Sequence, residues 1–184
     1  MGSFKIIEQT AAHVGFTNIS MLFAGTMAGV SYTSMAKASQ LIGSNNPTML
    51  KILAWRTLLL NFVCVQLLYL CLWLFPSTVF SYYSDEALVQ QKMSLLLLPY
   101  FVMNCFDSLQ FMASQFYKAV EMGAWACVVF FSSYYIAGLG SMLLMGLVVE
   151  EKVLCAWWGF TIGLAAADFC FLYRYRNMDL GQLV

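Results

Sequence analysis

Charged residues are so sparse in this chain that they divide it into long apolar runs. No Asp, Glu, Lys or Arg lies between Glu8 and Lys37, between Arg56 and Asp85, or between Glu121 and Glu150. Between Lys92 and Lys118 the one charge is Asp107, and between Lys152 and Arg174 it is Asp168. A helix needs about 20 mostly apolar residues to cross the hydrocarbon core of a bilayer, and each run is that long. The spacing predicts five transmembrane helices, at 13–38, 54–77, 90–117, 123–148 and 153–174, in a single membrane domain over residues 1–184. Charged residues make up 10% of the chain and hydrophobic ones 61%, whereas a soluble domain carries about 25% charged residues. Barrel strands alternate in polarity, and a run such as LLLNFVCVQLLYLCLWLF does not. The expected class is therefore an all-α, polytopic integral membrane protein.

Five crossings place the two ends of the chain on opposite sides. Lys5, Lys92 and Lys152 fall on the amino-terminal side, and Lys37, Lys51, Arg56, Lys118, Arg174 and Arg176 on the other. The positive-inside rule then puts the carboxy-terminus in the cytosol or an organelle matrix, with an organelle inner membrane as one candidate location. Trp55, Trp125 and Tyr173 fit an aromatic belt on that inner side, and Trp73, Tyr82, Tyr83 and Trp157 fit one on the outer side. The first ten residues, MGSFKIIEQT, lack the apolar core of a signal peptide.

Several function classes are disfavoured. The net charge of zero gives nucleic acid no electrostatic footing. Six cysteines and one histidine, His13, include no CxxC pair and no clustered ligands, so no metal site is expected. No cofactor motif and no Ser/His/Asp, HExxH or Cys/His set at workable spacing is present, so neither a cofactor nor an enzyme is expected.

The polar residues inside the runs are more informative. Asn104, Asp107, Ser108, Gln115 and Lys118 recur at steps of three, four or seven, so they share one helix face, and Gln110 lies in the same segment. Such a stripe should face helices, a cavity or another subunit. Asp107 is either an ion or proton site or a carboxyl hydrogen-bonded within the bundle, to Asn104, Ser108 or a neighbouring helix. Asp168 is a weaker candidate, about one and a half turns from Arg174 and placed to reach toward the inner interface. The first span holds Asn18, Thr26 and Thr33 among other polar residues, and should be surrounded by protein. Gly25 with Gly29, and Gly159 with Gly163, stand four apart and are read as helix-packing positions.

These elements together resemble the carboxy-terminal lobe of the multidrug and toxic compound extrusion (MATE) transporters. Gly29, Lys37, Gln40, Gly43, Asn46 and Pro47 stand at the offsets of the run that ends at the lobe's inner loop. TAAHVGF and FSYYSDEALV are similar to two of its connecting stretches, and Pro99 follows at a suitable distance. Asp107 and Gln110 match a D-x-x-Q, with Lys118 at a usual base position. Tyr134, Tyr135 and Gly138 match a YYxxG, and Trp157 and Gly159 a WxG. The resemblance implies a single lobe, a MATE-like half lacking most of the lobe's first helix, and makes Asp107 a lobe-core residue where the helix bends. There are departures. Gln115, Ala119 and Glu121 replace expected glycines, Gly140 replaces a proline, and no acid lies between Val14 and Ala36, where many eukaryotic members carry a coupling acid.

Two functions follow as expectations. One is an accessory or scaffold subunit of a larger membrane complex, transport-inactive alone, with other membrane subunits and bound lipid as partners. The alternative is a half-transporter that pairs as a homodimer, or with a separate amino-terminal lobe, for proton- or sodium-coupled efflux of organic cations or drugs. The candidate intramembrane site in either case is Asp107, Asn104, Gln110 and Gln115.

Overall fold

The computed structural model describes residues 2–178, with side chains from residue 7 onward. Every element among them is helical. Helix α1 (Gly2–Gly43) runs for 42 residues, about 63 Å at 1.5 Å per residue, long enough to cross a bilayer with turns to spare. Its end is closed by Asn45, in the left-handed region with φ 55°, and by the Asn46 N–H bonding back to the Leu41 carbonyl. The Asn46 side chain then caps α2 (Pro47–Leu74) by accepting from the Met49 N–H, and Pro47 occupies the first turn, where no N–H is needed. Short α3 (Pro76–Ser81) turns the chain at the far end.

The next span is broken. Helices α4 (Ala87–Leu95) and α5 (Leu97–Ala119) meet at 45°. Pro99 explains the break, because its ring collides with the carbonyl one turn earlier and it lacks an N–H to continue the ladder. A helix with a π-helical centre follows: α6 (Gly123–Ser132), a π segment (Ser133–Leu139) and α7 (Gly140–Val148). The last helix is α8 (Lys152–Arg176). Among the described residues four helices are long and apolar enough to span a membrane, and the number is five if the bent α4–α5 pair is counted as one span. The chain is thus a polytopic membrane protein.

Helix α5 is the centre of the bundle, packed against α1, α2 and α8, while α8 packs on the π segment and α7. Two cores result. At one end Phe16, Tyr100 and Trp157 meet edge to face, with Phe16–Tyr100 centroids 4.9 Å apart. Trp157 is 7% exposed, so it belongs to this core and not to an interfacial belt as expected. At the other end Tyr117, Trp125 and Phe171 pack together, and the Tyr117 hydroxyl donates to the Phe171 carbonyl at 2.6 Å. Trp55 meets Tyr175 there, so the GSNNP turn and residues 174–178 lie at one end of the bundle. The distal tail, 179–184, lies outside the described residues. At the opposite end Lys92 pairs with Glu151 at 2.7 Å, and Lys152 Nζ donates to the Gly146 and Val149 carbonyls, closing α7.

Two expectations about glycine divide here. Gly159 and Gly163 on α8 sit against the π segment and α7. A Cβ on Gly159 would lie 2.6 Å from Met142 Cβ and 2.9 Å from the Gly138 carbonyl oxygen, and one on Gly163 would lie 3.2 Å from Gly138 Cα. Gly25 and Gly29 are exposed, and a Cβ on either meets nothing within 4 Å. Among the described residues their side of α1 packs on no other part of the chain, because the buried stripe on the opposite side (Phe16, Phe23 and Met27) is what faces α5. Within this chain, neighbouring helices thus cover only one side of α1. Its hydroxyls are satisfied locally: Thr17, Thr26 and Thr33 donate to the carbonyls of His13, Leu22 and Gly29.

Helix α5 ends on Glu121, whose φ of 61° is costly for a residue with a Cβ. The Met122 N–H reaches the Tyr117 carbonyl at 2.8 Å, as in a glycine-closed helix end. A left-handed non-glycine residue costs about 1–2 kcal/mol, part of which glycine returns as unfolded-chain entropy. Glu121→Gly is therefore expected to raise the melting temperature in detergent slightly. A drop would show that the Glu121 side chain makes a contact worth more than the strain.

Candidate functional site

Helix α5 carries its polar side chains inward. Asn104, Ser108, Gln110, Ser114 and Gln115 are all buried, Asp107 is half-buried and Lys118 at the helix end is exposed. The inversion follows from position, since a helix packed by others on most sides has little lipid-facing surface to make apolar. Neighbours meet some of these groups. Gln110 Nε2 donates to the Tyr134 hydroxyl at 2.6 Å, and Asn61 Nδ2 of α2 donates to the Ser108 carbonyl at 2.9 Å. The Tyr69 hydroxyl donates to the Leu97 carbonyl at 3.0 Å, beside the α4–α5 break.

Tyr134 comes from the π segment. Insertion of an extra residue per turn widens the helix there, and such bulges recur at functional sites. Gly138, in the same segment, lets α8 approach through Gly159 and Gly163. The close approach helps bring Asp168 of α8 to the same region, where Asp107 and Asp168 lie within electrostatic range of each other and of Tyr134. The cluster thus joins two acids, an amide and a phenol from three elements at membrane depth.

Of the residues singled out in the sequence, the structure groups Asp107 and Gln110, through Tyr134. Asn104 sits one turn away beside the Tyr100 hydroxyl, with neither amide atom hydrogen-bonded. Gln115 lies two turns along, toward the basic end, with its Oε1 unpartnered. The Asp107 carboxyl group makes no hydrogen bond or ion pair among the described residues, contrary to expectation. The Ser108 hydroxyl is turned to its own helix, on the Cys105 carbonyl, and Asn104 faces Tyr100. The Oδ2 of Asp168 is buried without a partner on the wall of an apolar cavity. The sequence reading missed Asn61, although an amide inside LLLNFVC was the available signal. It noted Tyr134 but not its bond to Gln110, because helix periodicity does not anticipate a π turn.

No group of three or more His, Cys, Asp or Glu among the described residues is arranged to hold a metal ion. The arrangement offers titratable oxygens within a membrane bundle, suited to binding a proton or cation or to fixing helix register. If the Gln110–Tyr134 bond contributes as interhelical bonds in membranes do, Tyr134→Phe should cost about 0.6 kcal/mol and at most about 1.7. A double-mutant cycle with Gln110→Leu, followed by thermal unfolding in detergent, reads that coupling directly.

Comparison with known proteins adds one finding. The MatE family model matches residues 7–143, well over half of the chain. No curated protein gives a match.

Proposed function

Because the chain belongs to the MatE family, we propose that it is a membrane-embedded accessory or scaffold subunit, built on the carboxy-terminal lobe of a MATE-type transporter and inactive in transport by itself. Members of the family are transporters rather than enzymes, so an interaction role on this fold is a smaller step than a new chemistry. Alternating access needs two bundles rocking about a site between them, and the described residues form one. The bundle therefore works only against something else.

The observation that carries the reading is the outward face of α1. This helix has the lowest hydropathy of the four full-length spans. Ala11, Asn18, Gly25, Gly29 and Ala36 fall within about 20° of one line at 100° per residue, and all are exposed. The Asn18 side chain makes no hydrogen bond among the described residues. Such a stripe gains little from lipid contact, while small residues with an amide are what close helix–helix contacts in membranes use. Other membrane subunits and tightly held lipid are the partners proposed for it. The basic end, with GSNNP and Arg174, is proposed to face the cytosol or matrix.

A second reading rests on the Asp107–Asp168–Tyr134 cluster. Two acids in electrostatic range inside a membrane could take up and release a proton or ion. On that reading two copies, or this lobe and a separate amino-terminal lobe, form a half-transporter pair that exports organic cations.

Purification of the native protein in mild detergent separates the two. A heteromeric complex of fixed stoichiometry supports the scaffold, and a dimer of this chain supports the half-transporter. Cation efflux from vesicles containing only this chain, driven by a proton or sodium gradient and abolished by Asp107→Asn, would overturn the scaffold.

A further inference from the structure

The basic end of the bundle contains a cavity of about 490 Å³, within the ~300–1,000 Å³ range of ligand pockets. It lies among α1, α2, α5 and α8. Helices α2 and α8 each pack on α5 rather than on one another, leaving a lateral gap. The ring pair Trp55–Tyr175, with centroids 6.1 Å apart, bridges that gap near the basic end. The lips are open: Trp55 is 51% exposed, Phe169 72% and Leu172 60%. In a bilayer such a groove faces acyl chains, and its wall is apolar apart from a few hydroxyls and Asp168.

Charge surrounds the mouth asymmetrically. The described residues of this end carry six bases (Lys37, Lys51, Arg56, Lys118, Arg174 and Arg176) against one acid, Glu121. Lys51 lies one turn before Trp55 on the same helix face. Arg174 is within electrostatic range of Tyr117, which lines the cavity. Both bases are exposed. Asp168 stands eight residues before Arg176, about 12 Å along the helix. That depth suits the ester groups of a phospholipid whose phosphate sits among the bases. A carboxyl that keeps its proton can donate to an ester carbonyl, which would meet the unpartnered Oδ2.

We propose that this groove holds one acyl chain of an anionic phospholipid from the leaflet at the basic end, with its phosphate on Lys51, Arg174 and Arg176 and its ester region at Asp168. The occupant is a lipid because the opening is lateral, long and apolar. It is anionic because, among the described residues, the charges around the mouth are predominantly positive.

The test uses the purified full chain in nanodiscs of phosphatidylcholine containing a minor share of phosphatidylglycerol, released into native mass spectrometry. One phosphatidylglycerol should remain bound in preference to phosphatidylcholine. Arg174→Gln with Arg176→Gln should lower that preference roughly thirty-fold, since each base near a membrane surface is worth a factor of about five. Both arginines are exposed, so the fold should survive, and an unchanged melting temperature checks it. Ala54→Trp, which fills the groove, should remove the lipid, and Asp168→Asn, which keeps a donor, should retain it. Equal retention of the two lipids, or retention that survives Ala54→Trp, overturns the proposal. So does a groove that takes tetraphenylphosphonium instead and loses it in Asp168→Asn.

Discussion

Gly159→Leu is expected to prevent the bundle from folding. The first atom added, Cβ, would lie 2.6 Å from Met142 Cβ, 2.9 Å from Met142 Cα and 2.9 Å from the Gly138 carbonyl oxygen. Two of these belong to backbone, and Met142 Cβ is fixed to it, so no rotamer change relieves the clash. The π segment and α7 must move as a unit. Overpacking that side chains can absorb costs about 1–3 kcal/mol. Displacing a helix costs more, because α8 also holds Phe171 under Tyr117 and Trp157 against Tyr100. Against a total stability of about 5–15 kcal/mol, little folded protein should remain. Gly163→Leu should follow it, and Gly163→Ala should be milder, since its Cβ meets Gly138 Cα and the Ser133 carbonyl oxygen at 3.2 Å. Yield of monodisperse protein and melting temperature in detergent measure the series. If Gly159→Leu purifies and melts like the parent, the α7–α8 contact is not as close as described.

The charges told more about the membrane than about the helices. Lys51 and Arg56 suggested that the second span begins near residue 54, yet α2 starts at Pro47. A helix does not stop where the hydrocarbon does, and the Asn46 cap with Pro47 behind it was the signal for the true start. The break between α4 and α5 was visible as Pro99, which the sequence reading used only as a family position. The polar stripe on α5 was legible because burial in a membrane leaves amides and hydroxyls on one face. Its partners were not, since pairing Gln110 with Tyr134 depends on a π turn that no simple period encodes. The apolar run around Asp107 indicates depth but not surroundings: whether Ser108 turns toward it or toward the Cys105 carbonyl is settled by rotamer and packing. Trp157 stands near a span end, where a belt residue is expected, and its ring contacts with Phe16 and Tyr100 put it in the core instead.

The two glycine pairs looked alike in the sequence, and they should answer leucine in opposite ways. Gly25 and Gly29 face open space, so the double substitution Gly25→Leu/Gly29→Leu should leave the purified chain folded, with a stability change within about 0.5 kcal/mol, as for exposed sites away from special features. In lipid, leucine is also a better surface than glycine, and a better helix former. The loss should appear in assembly. A helix that approaches α1 along Ala11, Asn18, Gly25, Gly29 and Ala36 needs those positions small, and two leucines would hold the partner's backbone away. Native purification of the variant should then yield the chain without its partner, whether that partner is another subunit, as the scaffold reading holds, or a second lobe. Asn18→Leu should weaken the same assembly less, by removing one interhelical hydrogen bond worth about 0.6 kcal/mol. If the complex survives both glycine substitutions intact, the exposed face of α1 meets only lipid, and the partner surface must be sought elsewhere on the bundle. If the double variant instead fails to fold even alone, the open space beside Gly25 and Gly29 is occupied within the chain itself.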